Sequence, residues 1–149
     1  MRHYTLFYTC LIDASIKEVC AFHTDTNNLS LITPPSIGVK LVSKKENIIL
    51  LNIKKFGITT QWKIAIETNC PHSIVDVMLK GPFAFFRHER HFSVEGDTLT
   101  RMDETISLAL PIAFFQSFLF TFVKKDMDAL FLYRHRMTQA HFKSLSEGP

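Results

Sequence analysis

The sequence lacks the short motifs that mark several common classes of protein. It has no glycine-rich phosphate-binding loop, no Walker sequence and no serine or cysteine nucleophile motif. Glycine occurs only five times in 149 residues, and the net charge of +3 comes from scattered rather than clustered basic residues. These absences argue against a nucleotide-dependent enzyme, against a hydrolase with a covalent nucleophile and against a nucleic-acid-binding protein.

Cysteine and histidine are also too sparse or too widely spaced to indicate a metal site. Cys10, Cys20 and Cys70 lie far apart in the chain with no paired spacing, so the sequence predicts neither a disulfide framework nor a zinc site. A reducing cytoplasm fits this pattern best. Most of the histidines show no metal-ligand spacing and are expected to be solvated: His3, His23, His72, His91, His135 and His141. No metal and no cofactor is predicted.

A membrane span is not predicted either. The N-terminal residues 1–13 have no apolar core of signal-peptide length. The stretch between Glu104 and Lys124 carries no charge and approaches the length that crosses a bilayer, but Pro111 divides it. A strand that runs into a helix explains it better than a transmembrane segment. Contact with a membrane surface stays open.

The residues that are abundant indicate one folded domain over residues 1–149. Apolar residues make up 46% of the chain and charged residues 21%, which is ordinary for a globular protein, whereas phenylalanine occurs 14 times. A chain of this length buries about two thirds of the surface that it exposes when unfolded.

The longest predicted element is a C-terminal helix from about Ala113 to Ser144. It follows Pro111, and no glycine or proline interrupts it before Gly148. At 1.5 Å per residue it would be roughly 45 Å long. Helical spacing places one set of apolar residues on a common face: Phe115, Phe118, Leu119, Phe122, Leu130, Tyr133 and Met137.

The preceding chain is predicted to form seven strands and two short helices. A first strand covers residues 3–12. A short helix capped by Asp13 or Ser15 runs to about His23, and a second covers residues 26–31. Alternation with period two from residue 37 to residue 110 predicts six more strands joined by tight turns, hence an antiparallel sheet. In the strand around residue 77, Val75, Val77 and Leu79 are expected to face the core, with Asp76 and Lys80 outward. The fold class is α+β, with a curved seven-stranded antiparallel sheet wrapped around the long helix.

Three stretches resemble the START-like superfamily, which includes birch-pollen-allergen-like and polyketide cyclase/dehydrase-like proteins. They are residues 28–35 (NLSLITPP); Gly81-Pro82-Phe83 followed by Phe86, His88 and Phe92; and Met102-Asp103-Glu104 leading to Pro111, followed by Phe131, Tyr133 and Arg134. The chain is most similar to a group of small bacterial ligand-binding proteins of that superfamily. This resemblance implies the helix-grip fold, and it implies a hydrophobic cavity between sheet and helix that binds a small lipid-like or polyketide-like ligand.

Strand parity singles out three ionisable residues on the face that should meet the helix. In the predicted hairpin of residues 84–94 and 98–110, His88, Arg90 and Glu104 share their side with apolar residues. If the hairpin closes near Gly96, His88 lies opposite Glu104, with Arg90 one pair nearer the turn. The three would orient a polar group of a ligand, or His88 and Glu104 would act as acid and base. The alternatives are a self-satisfied ion pair or a bulge that turns them outward.

Three functions remain open at this point. The first is a carrier or sensor whose ligand contacts Trp62, Phe86, Phe92, Phe118 and Phe122. The second is an enzyme of the cyclase/dehydratase type that uses His88 and Glu104. The third is a protein-interaction module with a filled core. Because apolar residues surround the helix over residues 113–123, a homodimer or peripheral membrane contact through this segment is also predicted.

Overall fold

The computed structural model describes residues 1–146 as one antiparallel sheet with a long helix. The strands are β1 (Tyr4–Ile12), β2 (Gly38–Lys45), β3 (Ile48–Lys55), β4 (Ile58–Asn69), β5 (Ser73–Lys80), β6 (Phe85–Gly96) and β7 (Leu99–Ala109). The helices are α1 (Ile16–Thr24), a short 3-10 helix (Thr26–Leu29) and α2 (Gln116–Ser146). The predicted α+β helix-grip fold is confirmed.

The sheet is a meander whose last strand returns to the first. Its order is β1-β7-β6-β5-β4-β3-β2, and every neighbouring pair is antiparallel. Tight turns between consecutive strands impose this order, because parallel neighbours would need long crossover connections. The sheet is open, with β1 and β2 at its two edges.

The short helix α1 begins where the sequence predicts. Ser15 has extended backbone, and its hydroxyl oxygen accepts a hydrogen bond from the backbone N–H of Glu18 at 3.3 Å. This satisfies one of the free donors in the first turn. The buried face of the helix consists of Val19, Cys20 and Phe22.

The long helix begins three residues later than predicted and buries a different face. Phe115 has φ 57°, in the left-handed region, so a right-handed helix cannot extend through it. The predicted face is largely wrong, because Phe115, Phe118 and Phe122 are mainly exposed. The buried residues are instead Phe131, Thr138 and Phe142. Apolar residues surround the first half of this helix, so their spacing does not determine which side meets the sheet.

The predicted orientation of β5 is also wrong. Ile74 is fully buried and Asp76 shares its side of the strand, whereas Leu79 is 52% exposed. Both faces of this strand carry apolar residues, so alternation alone cannot distinguish inside from outside. The inner side can accommodate the carboxylate of Asp76 because its Oδ2 accepts a hydrogen bond from Arg90 at 2.6 Å.

The prediction that the cysteines form no disulfide is wrong. Cys20 in α1 and Cys70 after β4 are joined by a disulfide across 50 residues of sequence, and Cys10 is free and buried. Two cysteines so far apart give no pairing signal in the sequence. The cytoplasmic location stays a prediction.

The packed core lies on one side of the domain. One cluster joins β1, α1, β6 and β7 through residues such as Ile12, Val19 and Met102. The second joins β1 and β7 to α2 through Leu6, Ile106 and Phe131. Within residues 1–146, no helix has the length and apolar content needed to cross a bilayer.

The disulfide gives a direct chemical test. In unfolded, unreduced protein, we expect alkylation to modify Cys10 only, and reduction should expose Cys20 and Cys70 as well, as read by mass spectrometry. Because the bond closes a long loop, Cys20→Ser should lower the free energy of unfolding by about 2–4 kcal/mol. Alkylation of all three cysteines without reductant would contradict the pairing.

Candidate functional site

A pocket of ≈ 500 Å³ lies between the β2–β5 half of the sheet and α2. Its walls on the sheet side come from alternate residues of neighbouring strands, which point to the same face. They include Val39, Leu51, Ile53, Trp62, Ile64 and Phe86. Val123, Met127, Leu130 and Phe131 of α2 form the opposite wall. The walls formed by the sheet and by α2 are therefore mainly apolar.

The mouth of the pocket lies beside the turn between β3 and β4. Phe56 and Ile58 line the pocket and are also 85% and 67% exposed, so the pocket opens to solvent beside them. The turn between them needs left-handed backbone at Phe56 and Gly57. Lys55 donates to Asp126 Oδ2 at 2.8 Å, which joins this turn to α2.

The other end of the pocket is polar. His23, Asp76, His88, Arg90 and Arg134 all line it, and they come from α1, β5, β6 and α2. Charged and polar groups collected in an otherwise apolar pocket are the arrangement by which proteins orient a ligand.

Behind this end lies a buried carboxylate that bridges two histidines. Glu104 of β7 is 4% exposed. Its Oε2 lies 2.6 Å from His88 Nε2, and its Oε1 lies 2.6 Å from His135 Nε2 on α2. An ionised carboxylate only accepts hydrogen bonds, so both ring nitrogens donate to it.

The predicted register of the hairpin is wrong by two residues. Glu104 lies opposite Arg90, and His88 lies opposite Ile106. A bulge between Val94 and Gly96 shifts the strands near the turn. His88 nevertheless reaches Glu104 diagonally, because a shift of two residues preserves the face on which each side chain lies.

The environment of Glu104 keeps it ionised. Burial alone raises the pKa of this carboxyl, but the hydrogen bonds from His135 and His88 outweigh burial, and the net effect is a pKa well below its ordinary value. A buried charge is tolerated only with partners of this kind.

Asp76 forms the second ion pair of the polar end. Its Oδ2 accepts from Arg90 Nη2 at 2.6 Å and lies 3.7 Å from His88 Nδ1. Asp76 Oδ1 and Arg90 Nε are buried without a hydrogen-bond partner. The pair is therefore neutral in charge but not fully satisfied in hydrogen bonds.

His23 is a half-buried residue at the same end whose two ring nitrogens are buried. Neither of its ring nitrogens has a hydrogen-bond partner. Burial, reinforced by the charge of Arg90, lowers the pKa of this imidazole to about 3. Its ring lies near the ring of Phe92, with the centroids 6.0 Å apart.

The structure brings together only part of the predicted set. Trp62, Phe86, His88 and Arg90 line the pocket. Glu104 lies behind His88, and Phe92 lies in the packed core. The prediction that Phe118 and Phe122 line a cavity is wrong, because both point outward and are 63% and 57% exposed.

Sequence analysis missed three residues of the polar end, namely His23, Asp76 and Arg134, and it missed His135, which lies behind that end on Glu104. Asp76 was assigned to the wrong side of its strand, and His23 and His135 were expected to be solvated. Arg134 appears only within a motif that resembles the superfamily. His135 and Phe131 are four residues apart on α2, a spacing that places them on one face and could have indicated His135.

A second depression, of ≈ 640 Å³, lies outside the sheet–helix space, between α1 and the end of α2. It is more open, and its lining mixes exposed acidic residues with Phe22, His141 and Leu145. It contains none of the ion pairs described above. The pocket over the sheet is therefore the candidate site.

Comparison with known proteins gives the family. The profile of the family described as polyketide cyclase / dehydrase and lipid transport matches residues 12–131, which is most of the chain. The chain belongs to this family, which confirms the predicted START-like resemblance. No curated protein sequence matches it.

Solved structures agree on the fold. A START superfamily protein from Mycobacterium smegmatis aligns with a TM-score of 0.74 at 14% identity over 97% of this chain and 99% of that one. The Zhui aromatase/cyclase from Streptomyces sp. R1128 aligns with a TM-score of 0.79 at 11% identity, over 95% of this chain and 94% of that one. The protein TTHA0849 from Thermus thermophilus aligns with a TM-score of 0.72 at 17% identity, over 93% of this chain and 99% of that one. At these identities the likeness is one of fold.

The neutral burial of His23 predicts a pH-dependent stability. Unfolded His23 takes up a proton below about pH 6.5, whereas the folded ring does not until about pH 3, so the free energy of unfolding falls on acidification through this window. The contribution is at most about 1.4 kcal/mol per pH unit. Urea unfolding of ligand-free protein between pH 7 and pH 4.5 should show a shallower pH dependence for His23→Leu than for wild type.

The matched control for this experiment is His72→Leu, at an exposed histidine in the turn before β5. It should leave the pH dependence of wild type unchanged. Equal pH dependence in wild type and His23→Leu would show that His23 is not held neutral.

Proposed function

We propose that this protein binds a small amphipathic molecule in the pocket and acts as its carrier or sensor. The observation that supports this most directly is the division of the pocket into apolar walls and one polar end. A molecule with an apolar body and a single polar head matches both parts at once. The family to which the chain belongs includes proteins of lipid transport by its description.

The volume of the pocket supports a ligand rather than a filled core. Pockets that bind small molecules occupy about 300–1,000 Å³, and ≈ 500 Å³ falls within this range. Large apolar side chains that could have filled the space lie at its wall instead. Trp62 packs edge-to-face against Phe86, with ring centroids 5.3 Å apart, and holds it against the sheet. This arrangement argues against an interaction module with a filled interior.

The residues have distinct roles in this proposal. Trp62 and Phe86 provide flat apolar contact for the body of the ligand. His88 and Arg90 orient its polar head, and Glu104 fixes the ring of His88 from behind. Phe92 supports the ring of His23 from the core and does not touch the ligand.

Filling the pocket tests the proposal. Ile64 points into the pocket from β4, and its neighbour Lys63 points to the opposite, exposed face. Ile64→Trp should remove any small molecule that co-purifies from the native host, as measured by native mass spectrometry, because the larger ring occupies its space. It should also abolish binding of the uncharged dye N-phenyl-1-naphthylamine.

Lys63→Trp places the same ring on the outer face and should retain both properties. If Ile64→Trp binds the dye and the co-purified molecule as wild type does, the pocket is not the binding site. If wild-type protein binds nothing, the carrier proposal fails.

The pair of His88 and Glu104 supports a second candidate, an enzyme of the cyclase/dehydratase type. A ring that donates from Nε2 to Glu104 has its lone pair on Nδ1, which can accept a proton from a ligand in the pocket. Glu104 would stabilise the imidazolium that forms. The substrate would be a poly-β-ketone, whose acidic methylene groups suit a histidine base.

Glu104→Gln distinguishes the two candidates. For an enzyme, removing the charge behind the base should lower kcat on a poly-β-ketone thioester by about 10²–10⁴-fold with a smaller change in KM. For a carrier, the protein has no turnover to lose and only the affinity falls. Glu89→Gln, on the opposite face of β6 and paired with Arg87, is the control and should change neither quantity. Wild-type protein that leaves the thioester unchanged would exclude the enzyme.

The exposed phenylalanines of α2 support peripheral membrane contact as part of the carrier proposal. The rings of Phe118 and Phe122 touch at 5.1 Å between centroids, and Phe122 lies one turn before Asp126 at the mouth. A membrane contact there would place the mouth beside a source of apolar ligand. A homodimer through residues 113–123 would cover the same surface and is the alternative proposal.

A further inference from the structure

Arg134 is a cation at the polar end of the pocket that forms no direct ion pair with a carboxylate of residues 1–146. It lines the pocket from α2, and its Nε is buried with no hydrogen-bond partner. Within residues 1–146, no carboxylate oxygen lies within 4.0 Å of its guanidinium nitrogens. Its guanidinium lies near the ring of Phe131, with Cζ 5.4 Å from the ring centroid.

The carboxylates of the polar end are already engaged by other groups. Asp76 Oδ2 is held by Arg90 at 2.6 Å. Both oxygens of Glu104 are held at 2.6 Å, by His88 and His135. Of these four carboxylate oxygens only Asp76 Oδ1 has no hydrogen-bond partner, and it lies more than 4.0 Å from the guanidinium nitrogens of Arg134. The guanidinium of Arg134 therefore forms no ion pair within residues 1–146, and Glu104 and Asp76 attract its charge only from beyond 4.0 Å.

A buried charge in this condition is costly. Burial lowers the pKa of the Arg134 guanidinium, yet an arginine stays protonated at neutral pH in proteins. The side chain therefore cannot relieve its burial by losing a proton, as a lysine would. An ion that enters the pocket and pairs with it would relieve the cost, and a guanidinium offers two parallel donors to an oxygen acid.

We infer that the ligand carries an anionic oxygen-acid head group, such as a carboxylate, and that Arg134 is the residue that binds it. This inference rests on the proposed function of the pocket and adds the chemical class of the ligand. His23, whose ring nitrogens have no partner, lines the same end and supplies a neutral polar neighbour for the head group.

The position of Arg134 also sets the orientation and length of the ligand. It lies eight residues after Asp126, the helix residue that is joined to the turn at the mouth. This separation is about 12 Å along the axis of α2. The anionic head therefore lies deep in the pocket, and the apolar body extends past Trp62 and Phe86 toward the mouth.

Two dyes with the same apolar body test this inference. 1-Anilinonaphthalene-8-sulfonate is N-phenyl-1-naphthylamine with one added sulfonate, so their dissociation constants isolate the effect of the anion. Fluorescence titrations would use wild type, Arg134→Gln, Arg134→Lys and Arg136→Gln. Arg136 is an exposed arginine of the same helix and serves as the matched control. Dye binding is assigned to the pocket only where Ile64→Trp abolishes it, because the exposed phenylalanines of α2 can also bind dye.

We expect wild type to bind the sulfonate at least about tenfold more tightly than the uncharged dye, because one hydrogen bond to a charged group increases affinity by about this factor. Arg134→Gln should remove this preference while it leaves the affinity for the uncharged dye within about twofold. Arg134→Lys should retain part of the preference, and Arg136→Gln should retain all of it.

Two other results would overturn the inference in distinguishable ways. If wild type binds both dyes in the pocket with equal affinity, or if Arg134→Gln weakens both equally, the pocket is a binding site but not one for an anion. If neither dye binds in a manner that Ile64→Trp abolishes, the proposed function fails together with the inference. The comparison of the two dyes on wild type decides the question even if the Arg134 variants do not fold.

Discussion

The carboxylate of Glu104 connects the two layers of this domain. It lies in a region of low dielectric, where an ionised group needs a partner for each oxygen, and the partners come from β6 on one side and α2 on the other. Through His88 and His135, Glu104 therefore joins β6 and β7 of the sheet to the long helix. In the first half of α2, Val123 and Met127 pack against the β1–β7 cluster and also line the pocket, so the helix joins the packed core to the pocket wall.

The same contact determines which groups remain for a ligand. Both oxygens of Glu104 are engaged and Asp76 Oδ2 is held by Arg90, which leaves Asp76 Oδ1 and one ring nitrogen of neutral His23 as acceptors at the polar end. Its unpartnered atoms include donors on Arg90 and Arg134. A fold shared with carriers and cyclases does not specify a function, and the guanidinium of Arg134, which lines the pocket without an ion pair, is the more informative property of the site.

Strand parity predicted the parts of this arrangement that depend on backbone geometry. His88, Arg90 and Glu104 were placed on the inner face because alternation survives a register error of two residues. Parity assigns Asp76 to the wrong side of β5 because this strand carries apolar residues on both faces. Helical spacing assigns Phe118 and Phe122 to the buried face of α2, which is wrong because apolar residues surround the first half of that helix. His135 and Arg134 reach the site through the packing of helix on sheet, and Cys20 meets Cys70 through the folding of α1. Of these residues only His135 has a local signal, its four-residue spacing from Phe131; the contacts of the others depend on how distant elements pack.

The division between a packed half and a hollow half affects how the protein can change over evolution. Side chains from β1, β6, β7 and α1 build most of the core, whereas the pocket walls on the sheet come largely from β2 to β5. A substitution such as one at Val39 or Ile53 alters the shape offered to a ligand and removes few contacts from the core. Selection for a new ligand can therefore act on one set of strands while another set preserves stability.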